Sequence, residues 1–103
     1  MELVGVRNIT CFSSLDFEID EGHILKVLNV THEGSPSSTS PFYTKLNNEY
    51  IYYTKYYSGT GGNVSQLNVH FPFYLSEGTH ELRNDQPNIS TTIYGLEFKL
   101  TTQ

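Results

Sequence analysis

The stretch that most constrains the fold is 67–82, where apolar residues recur at every second position before a glycine turn. The apolar positions are Leu67, Val69, Phe71, Phe73 and Leu75. Side chains of a β-strand point alternately to opposite faces, so this spacing predicts a strand with one face against a core. Ser76-Glu77-Gly78 then predicts a turn, with a further strand from Thr79. Pro72 cannot donate a ladder hydrogen bond, so we expect its strand to be bulged or at a sheet edge.

The first half of the chain has the same pattern of a strand, a glycine turn and a second strand. Apolar and acidic residues alternate over 15–20, Glu21-Gly22 predicts a turn, and a strand follows over 23–32. The run Ile24–Val30 is more continuously apolar, which indicates burial on both faces or a central position. A helix is the alternative for this run, but its β-branched residues and its flanking glycines favour a strand.

Further alternating segments predict an all-β protein. Phe42–Leu46 and Glu49–Tyr57 flank Asn47-Asn48, a natural two-residue hairpin turn because Asn accepts left-handed geometry. The last strand is expected over 90–101, with four residues sharing one face: Tyr94, Leu96, Phe98 and Leu100. About eight short strands predict an antiparallel β-sandwich, and the repeated strand–turn unit favours a jelly roll. We expect residues 1–103 to form one domain, with 1–11 as an N-terminal arm.

Charge and length exclude several classes of function. The chain of 103 residues has a formal net charge of −5 and only six scattered basic residues, which argues against nucleic acid as a partner. No apolar run approaches the roughly 20 residues that span a bilayer, and no basic amphipathic helix is visible, so no membrane role is expected. The N-terminal residues do not resemble a secretory signal, so we expect synthesis in the cytoplasm.

Cys11 is the single cysteine, so no intramolecular disulfide can reinforce this small core. We expect its thiol to be a small buried hydrophobe, since a catalytic thiol would need a histidine brought to it by the fold. With no obvious metal cage either, association of identical copies is the remaining common route to stability. The sequence therefore favours a homo-oligomer.

The most unusual cluster lies in one predicted strand and consists of Tyr50, Tyr52, Tyr53, Tyr56 and Tyr57. Tyrosines occupy both faces of this strand, so one face is expected to be exposed or covered by another chain. Tyrosine combines a large contact area with a polar tip, which suits interfaces and sugar-stacking platforms. Three interpretations stay open: a core strand, a subunit interface, and a glycan platform.

The acidic segment Asp16–Asp20 offers several carboxylates on one strand face. Calcium prefers several oxygen ligands, but apolar residues interleave these acids and the distal position holds Val27. We favour a solvated acidic face over calcium, and a pair of glycosidase carboxylates is a third interpretation. His23, His32, His70 and His80 are not spaced like a metal set, and we expect surface histidines with satisfied hydrogen bonds. No metal, cofactor or catalytic residue is predicted.

Two segments carry a family resemblance. Phe71–Thr79 and Tyr94–Phe98 resemble the "P-x-x-L-x-x-G-T" and "G-x-E-F" stretches of small jelly-roll virion and fibre-tip proteins from phages of Bacteroidetes. Phe17–Lys26 looks like the matching "I-P-x-G-K-x-W-K" element, with Asp20, His23 and Leu25 in place of its proline, lysine and tryptophan. At a coarser level the chain is similar to the trimeric jelly rolls of tumour necrosis factor and complement C1q.

This resemblance implies a non-enzymatic structural protein of a phage virion: a minor capsid, decoration, fibre or spike component. Its partners would be two further copies in a homotrimer and other virion proteins, and its location would be the virion. The alternative is a carbohydrate-binding or receptor-binding module that uses exposed tyrosines on a host surface glycan. An enzyme with cupin-like metal chemistry is the third hypothesis, and it would need histidine and glutamate to converge inside the barrel.

Overall fold

The computed structural model describes residues 1–34, 42–57, 62–85 and 89–101. Within them it has nine strands: β1 (Glu2–Cys11), β2 (Ser14–Ile19), β3 (His23–Gly34), β4 (Phe42–Leu46), β5 (Glu49–Tyr57), β6 (Gly62–Leu67), β7 (Phe73–Leu75), β8 (Gly78–Asn84) and β9 (Ile89–Lys99). No helix occurs in these residues, and therefore none that could cross a membrane.

The strands form two antiparallel sheets. One has four strands in the order β1-β9-β3-β7, and the other has five in the order β2-β8-β4-β5-β6. Every paired neighbour is antiparallel. The predicted all-β, antiparallel sandwich class is confirmed, with nine strands in the described residues instead of about eight. The jelly-roll connectivity stays a prediction.

The core lies between the inner faces of the two sheets. Leu25, Val27 and Ile93 contribute from the four-stranded sheet, and Leu82 contributes from β8; all four are fully buried. Phe17, Ile19 and Cys11 are buried in the same cluster, so the expected role of the thiol as a small buried hydrophobe is confirmed. Truncation of one fully buried aliphatic side chain to alanine typically costs about 2–5 kcal/mol.

The turn predictions hold at three positions. Gly22 and Gly78 have φ angles of 80° and 119°, and Asn47 and Asn48 have φ angles of 53° and 67°. Positive φ is costly for most residues but accessible to glycine and, less freely, to asparagine. These residues therefore set the β2–β3 turn, the start of β8 and the β4–β5 hairpin.

The prediction of one strand over 67–75 was wrong. β6 ends at Leu67, and pairing resumes only at β7, a three-residue edge strand that begins directly after Pro72. Proline has no N–H for the ladder, so the chain passes through it without strand pairing. Val69, Phe71 and Phe73 nevertheless pack against the core. The alternation thus predicted the packing of this segment but not its hydrogen bonding.

The segment interpreted as an N-terminal arm is β1, the edge strand of the four-stranded sheet, which pairs with β9 from Glu2 to Cys11. In β9 the buried positions are Ile89, Thr91, Ile93 and Gly95. The predicted shared face of Tyr94, Leu96, Phe98 and Leu100 therefore points away from the core.

Candidate functional site

The predicted tyrosine cluster divides between the two faces of β5. Tyr50 is 48% exposed on the outside, whereas Tyr52 is half-buried, with its ring 4.2 Å from that of His32. A bulge on β5 causes this division, because Lys45 pairs with Tyr50 while Thr44 pairs with Tyr52. The side chains of three further tyrosines lie outside the described part of the structure: Tyr53, Tyr56 and Tyr57.

A compact aromatic and cationic cluster covers the outside of β4 and β5. The rings of Tyr43 and Tyr50 meet edge to face with centroids 5.0 Å apart. Lys45 Nζ lies 5.2 Å from the first centroid and 4.7 Å from the second, within the range of cation–π attraction. Sequence reasoning missed Tyr43, although the Asn47-Asn48 hairpin was a signal that placed it near β5 on the adjacent strand.

This cluster borders a cleft of about 360 Å³ on the outside of the five-stranded sheet, lined by Ser13, Ser14, Tyr43, Lys45, Arg83, Asn84 and Asp85. Ser14 pairs with Arg83, Arg83 with Lys45, and Lys45 with Tyr50, so these residues form one row across four strands. Asp85 Oδ1 accepts the backbone N–H of Tyr43 at 2.8 Å, which holds the carboxylate at the rim of the cleft.

A second polar cluster closes one end of the sandwich. Glu97 Oε1 accepts Arg7 Nη1 at 3.0 Å and its Oε2 contacts His23 Nδ1 at 2.6 Å, with the carboxylate side chain 12% exposed. Burial alone raises the pKa of Glu97, but hydrogen bonds from His23 and Arg7 and the Arg7 charge outweigh it, so the pKa is lowered. Arg7 Nη2 donates to the Glu18 carbonyl oxygen at 2.6 Å, so the guanidinium joins the two sheets.

Asp20 approaches the same end, and ligand atoms of Asp20, His23 and Glu97 lie within 4.8 Å of one another. The group has the donor types of a divalent-metal site. Its glutamate, however, already has both oxygens engaged by Arg7 and His23. Arg7 also places a positive charge next to the carboxylate, where a cation would bind. An ion-pair cluster accounts for the geometry without a metal.

Of the segment Asp16–Asp20, interpreted above as a possible calcium site, Asp20 alone belongs to the group of potential ligands just described. Asp16 and Glu18 are exposed on the outside of β2, and Glu18 Oε1 accepts Thr79 Oγ1 at 3.2 Å. Among the residues that the structure describes, neither belongs to a group of three potential metal ligands. Carboxylates two residues apart on a strand share a face without converging, which explains this result.

Three histidines, His23, His32 and His80, have hydrogen-bond partners in the fold. The predicted surface position is wrong for two of them, because His32 is half-buried and His80 is buried among hydrogen-bonding side chains. Among the described residues, no two histidines share a group of potential metal ligands. His32 Nε2 lies 2.8 Å from Thr44 Oγ1, in a buried network that continues to Thr91 and Asn84. Burial lowers the pKa of His32 to about 4. His80 Nδ1 accepts Asn47 Nδ2 at 2.8 Å, and its Nε2 donates to the carbonyl oxygen of Ser76 at 2.7 Å.

The outside of the four-stranded sheet carries a group of apolar side chains, with Asn8, Lys26 and Asn29 as their polar strand partners. We define its outer apolar face by the outward side chains of Leu3, Val6, Leu28, Tyr74, Tyr94, Leu96, Phe98 and Leu100. Register brings them together, because Phe98 pairs with Leu3 and Leu96 pairs with Val6. Val6 is 74% exposed, the largest value among the exposed large hydrophobics of the described residues. Contiguous exposed apolar surface of this kind is typical of interaction sites.

The fold and these surfaces define an antiparallel β-sandwich with one apolar outer face and one polar, partly aromatic outer face. Comparisons with protein-family models, with curated proteins and with solved structures found no match.

Proposed function

We propose that this chain is a non-enzymatic structural protein that associates with copies of itself through the outer apolar face. One observation carries the proposal. Of eleven exposed large hydrophobic residues in the described part of the chain, seven belong to the four-stranded sheet or directly follow β9. Burial of apolar surface supplies about 25 cal/mol per Å², and association between sheet faces is a direct way to recover it.

Charge favours a second copy as the occupant of this face. Copies of a chain with a net charge of −5 repel one another wherever carboxylates are exposed. The outside of the five-stranded sheet carries Asp16, Glu18 and Glu81. In the four-stranded sheet Glu2 and Glu33 lie near strand ends, and the third acidic residue, Glu97, points inward to Arg7 and His23. Lys26, the strand partner of Leu96 and Tyr74, is the charged residue in the middle of this face, so identical copies that approach there avoid repulsion between carboxylates.

A virion component with homotrimeric assembly is the setting that we propose for this association. It rests on the sequence resemblance to jelly-roll virion and fibre-tip proteins. Successive strands from β1 to β4 alternate between the two sheets, as do β6 to β9, and this alternation supports the jelly-roll connectivity. We expect the genes that flank this one to encode capsid, portal or tail proteins, and metabolic neighbours would contradict the proposal.

Sedimentation velocity of two matched variants tests the association. Val6→Glu places a charge on the outer apolar face, and Phe12→Glu places the same charge on a residue 67% exposed between β1 and β2. Both side chains are exposed, so neither change should unfold the subunit. We expect Val6→Glu to sediment as a monomer and Phe12→Glu to remain associated. Equal behaviour of the two variants would contradict the use of this face.

A second candidate function is glycan binding on the other outer face. The observation that favours it is the pair Tyr43 and Tyr50 beside a polar cleft, since aromatic rings next to hydrogen-bonding groups suit sugar recognition. Tyr50→Ala is expected to abolish binding on a glycan array, whereas Tyr74→Ala on the opposite sheet should leave it unchanged. An array on which the wild-type protein binds nothing would contradict this function.

A further inference from the structure

The cleft beside Tyr43 and Tyr50 is lined by two cationic side chains, Lys45 and Arg83. Lys45 on β4 and Arg83 on β8 are direct cross-strand partners on the outer face of the five-stranded sheet. Like charges in this position destabilise a sheet pair. The chain has only six basic residues against eleven acidic ones. Two of these few cations are nevertheless direct strand partners.

Neither cation of this pair forms an ion pair with a carboxylate of the described residues. Within the described residues, no acidic oxygen lies within 4 Å of Lys45 Nζ or of the Arg83 guanidinium. The strand partner of Arg83 on its other side is Ser14, and Lys45 extends over the tyrosine rings. Asp16 and Glu81 pair farther along β2 and β8, which leaves the cations as the basic end of an otherwise acidic surface.

The remaining groups in the cleft match a sugar more closely than a bare anion. Ser13 and Ser14 line it and carry hydroxyl groups, and Asp85 is held at its rim by the Tyr43 amide. A carboxylate accepts hydrogen bonds from sugar hydroxyls, which a sulfate ion does not offer. Tyr50, about half exposed, presents ring surface next to Lys45 on which a sugar ring can pack.

We propose that this cleft binds a saccharide that bears a carboxylate, such as a uronic acid or a sialic acid. Arg83 and Lys45 hold the carboxylate, since a guanidinium matches the two oxygens of such a group and the lysine adds a second positive charge. Asp85 and the serines contact the hydroxyls, and Tyr50 contacts the ring. This inference rests on the second candidate function and names the chemical class of its ligand.

Calorimetric titration with matched sugar pairs tests the inference. The probes are sialyllactose against lactose and trigalacturonate against its methyl ester, with inorganic phosphate as a third arm. We expect each acidic sugar to bind at least about tenfold more tightly than its neutral partner, as the loss of a charged hydrogen bond implies. Phosphate should not compete at equal concentration.

Variants identify the groups responsible. Arg83→Gln and Lys45→Gln should each remove most of the preference for the acidic sugar, and Arg83→Lys should retain part of it. Lys99→Gln is the matched control, because Lys99 is an exposed cation at the end of β9 in the other sheet. It should bind like the wild type.

The possible results separate the two claims. Equal binding of acidic and neutral sugars, both lost in Tyr50→Ala, would overturn this inference and keep glycan binding. If phosphate competes as strongly as the sugar, the claim that the ligand is a saccharide is wrong, and the cleft is a general anion site. No binding of any probe would overturn both claims.

Discussion

Arg7 on β1 and Glu97 on the neighbouring strand β9 form an ion pair, with Nη1 of the arginine 3.0 Å from Oε1 of the glutamate. The same guanidinium donates to the Glu18 carbonyl oxygen of the other sheet and lies 5.9 Å from the centroid of the Phe17 ring. One side chain thus ties the two layers together at the end where the hydrophobic core stops.

Glu97→Gln should destabilise the fold by about 1–2 kcal/mol. The substitution keeps the shape but removes the charge that pairs with Arg7, and hydrogen bonds to charged groups contribute about 1.5–3 kcal/mol, reduced here because Arg7 is 30% exposed. Urea unfolding measures the change. Glu49→Gln, at an exposed position outside this cluster, is the control and should be near neutral; an equal loss in both would contradict a specific role for the pair.

Stability should fall as the pH decreases from 6.5 towards 4 because of His32. Burial lowers its pKa in the folded state from 6.5 to about 4, so the unfolded chain binds more protons between these values. We expect the free energy of unfolding to drop by about 1–2 kcal/mol between pH 7 and pH 5, after allowing for partial exposure. His32→Gln should flatten this dependence in urea titrations, and an unchanged slope in the variant would exclude His32 as its source.

Gly95→Ala should destabilise the fold by about 1–3 kcal/mol through overpacking. A Cβ at this position would lie 2.9 Å from Leu25 Cδ1 and 3.0 Å from the Lys26 carbonyl oxygen. At Gly5, on the neighbouring strand, the added Cβ would meet nothing within 4 Å. In thermal unfolding, Gly95→Ala should therefore have a lower Tm than Gly5→Ala. Equal Tm values would contradict the predicted overpacking.

Asn47→Gly should cost about 1–2 kcal/mol even though glycine accepts the positive φ. The Asn47 side chain accepts the Glu81 N–H at 2.9 Å and donates to His80 Nδ1 at 2.8 Å, and glycine removes both bonds. Asn48→Gly is the matched control, since the neighbouring residue also has positive φ, and it should be neutral or slightly stabilising. Chemical denaturation in which Asn48→Gly loses as much would contradict the role assigned to the Asn47 side chain.

Local sequence signals predicted the strands and turns well. The hairpin at Asn47-Asn48 and the bounds of β4 and β5 agree with the structure, because asparagine tolerates left-handed geometry and the flanking residues alternate. The break before β7 was missed, because side-chain alternation reports packing and not ladder hydrogen bonds. Pro72, which has no N–H to donate, was the local signal of this break.

The candidate sites depended on pairing between distant segments. Lys45 and Arg83 are far apart in sequence, and only the β4–β8 register makes them neighbours. The β5 bulge that turns Tyr52 inward likewise has no local signature in a tyrosine-rich strand. The alternation in β9 predicted the shared face of Tyr94, Leu96 and Phe98 but not its direction, because both faces of that strand carry apolar residues.

The central claim is that the outer apolar face is covered by identical copies in solution, and the molar mass of the wild-type protein tests it most directly. Light scattering across a dilution series from about 100 µM should give a defined multiple of the 11.7 kDa chain mass, with three copies expected. A mass of one chain throughout the series would contradict the account.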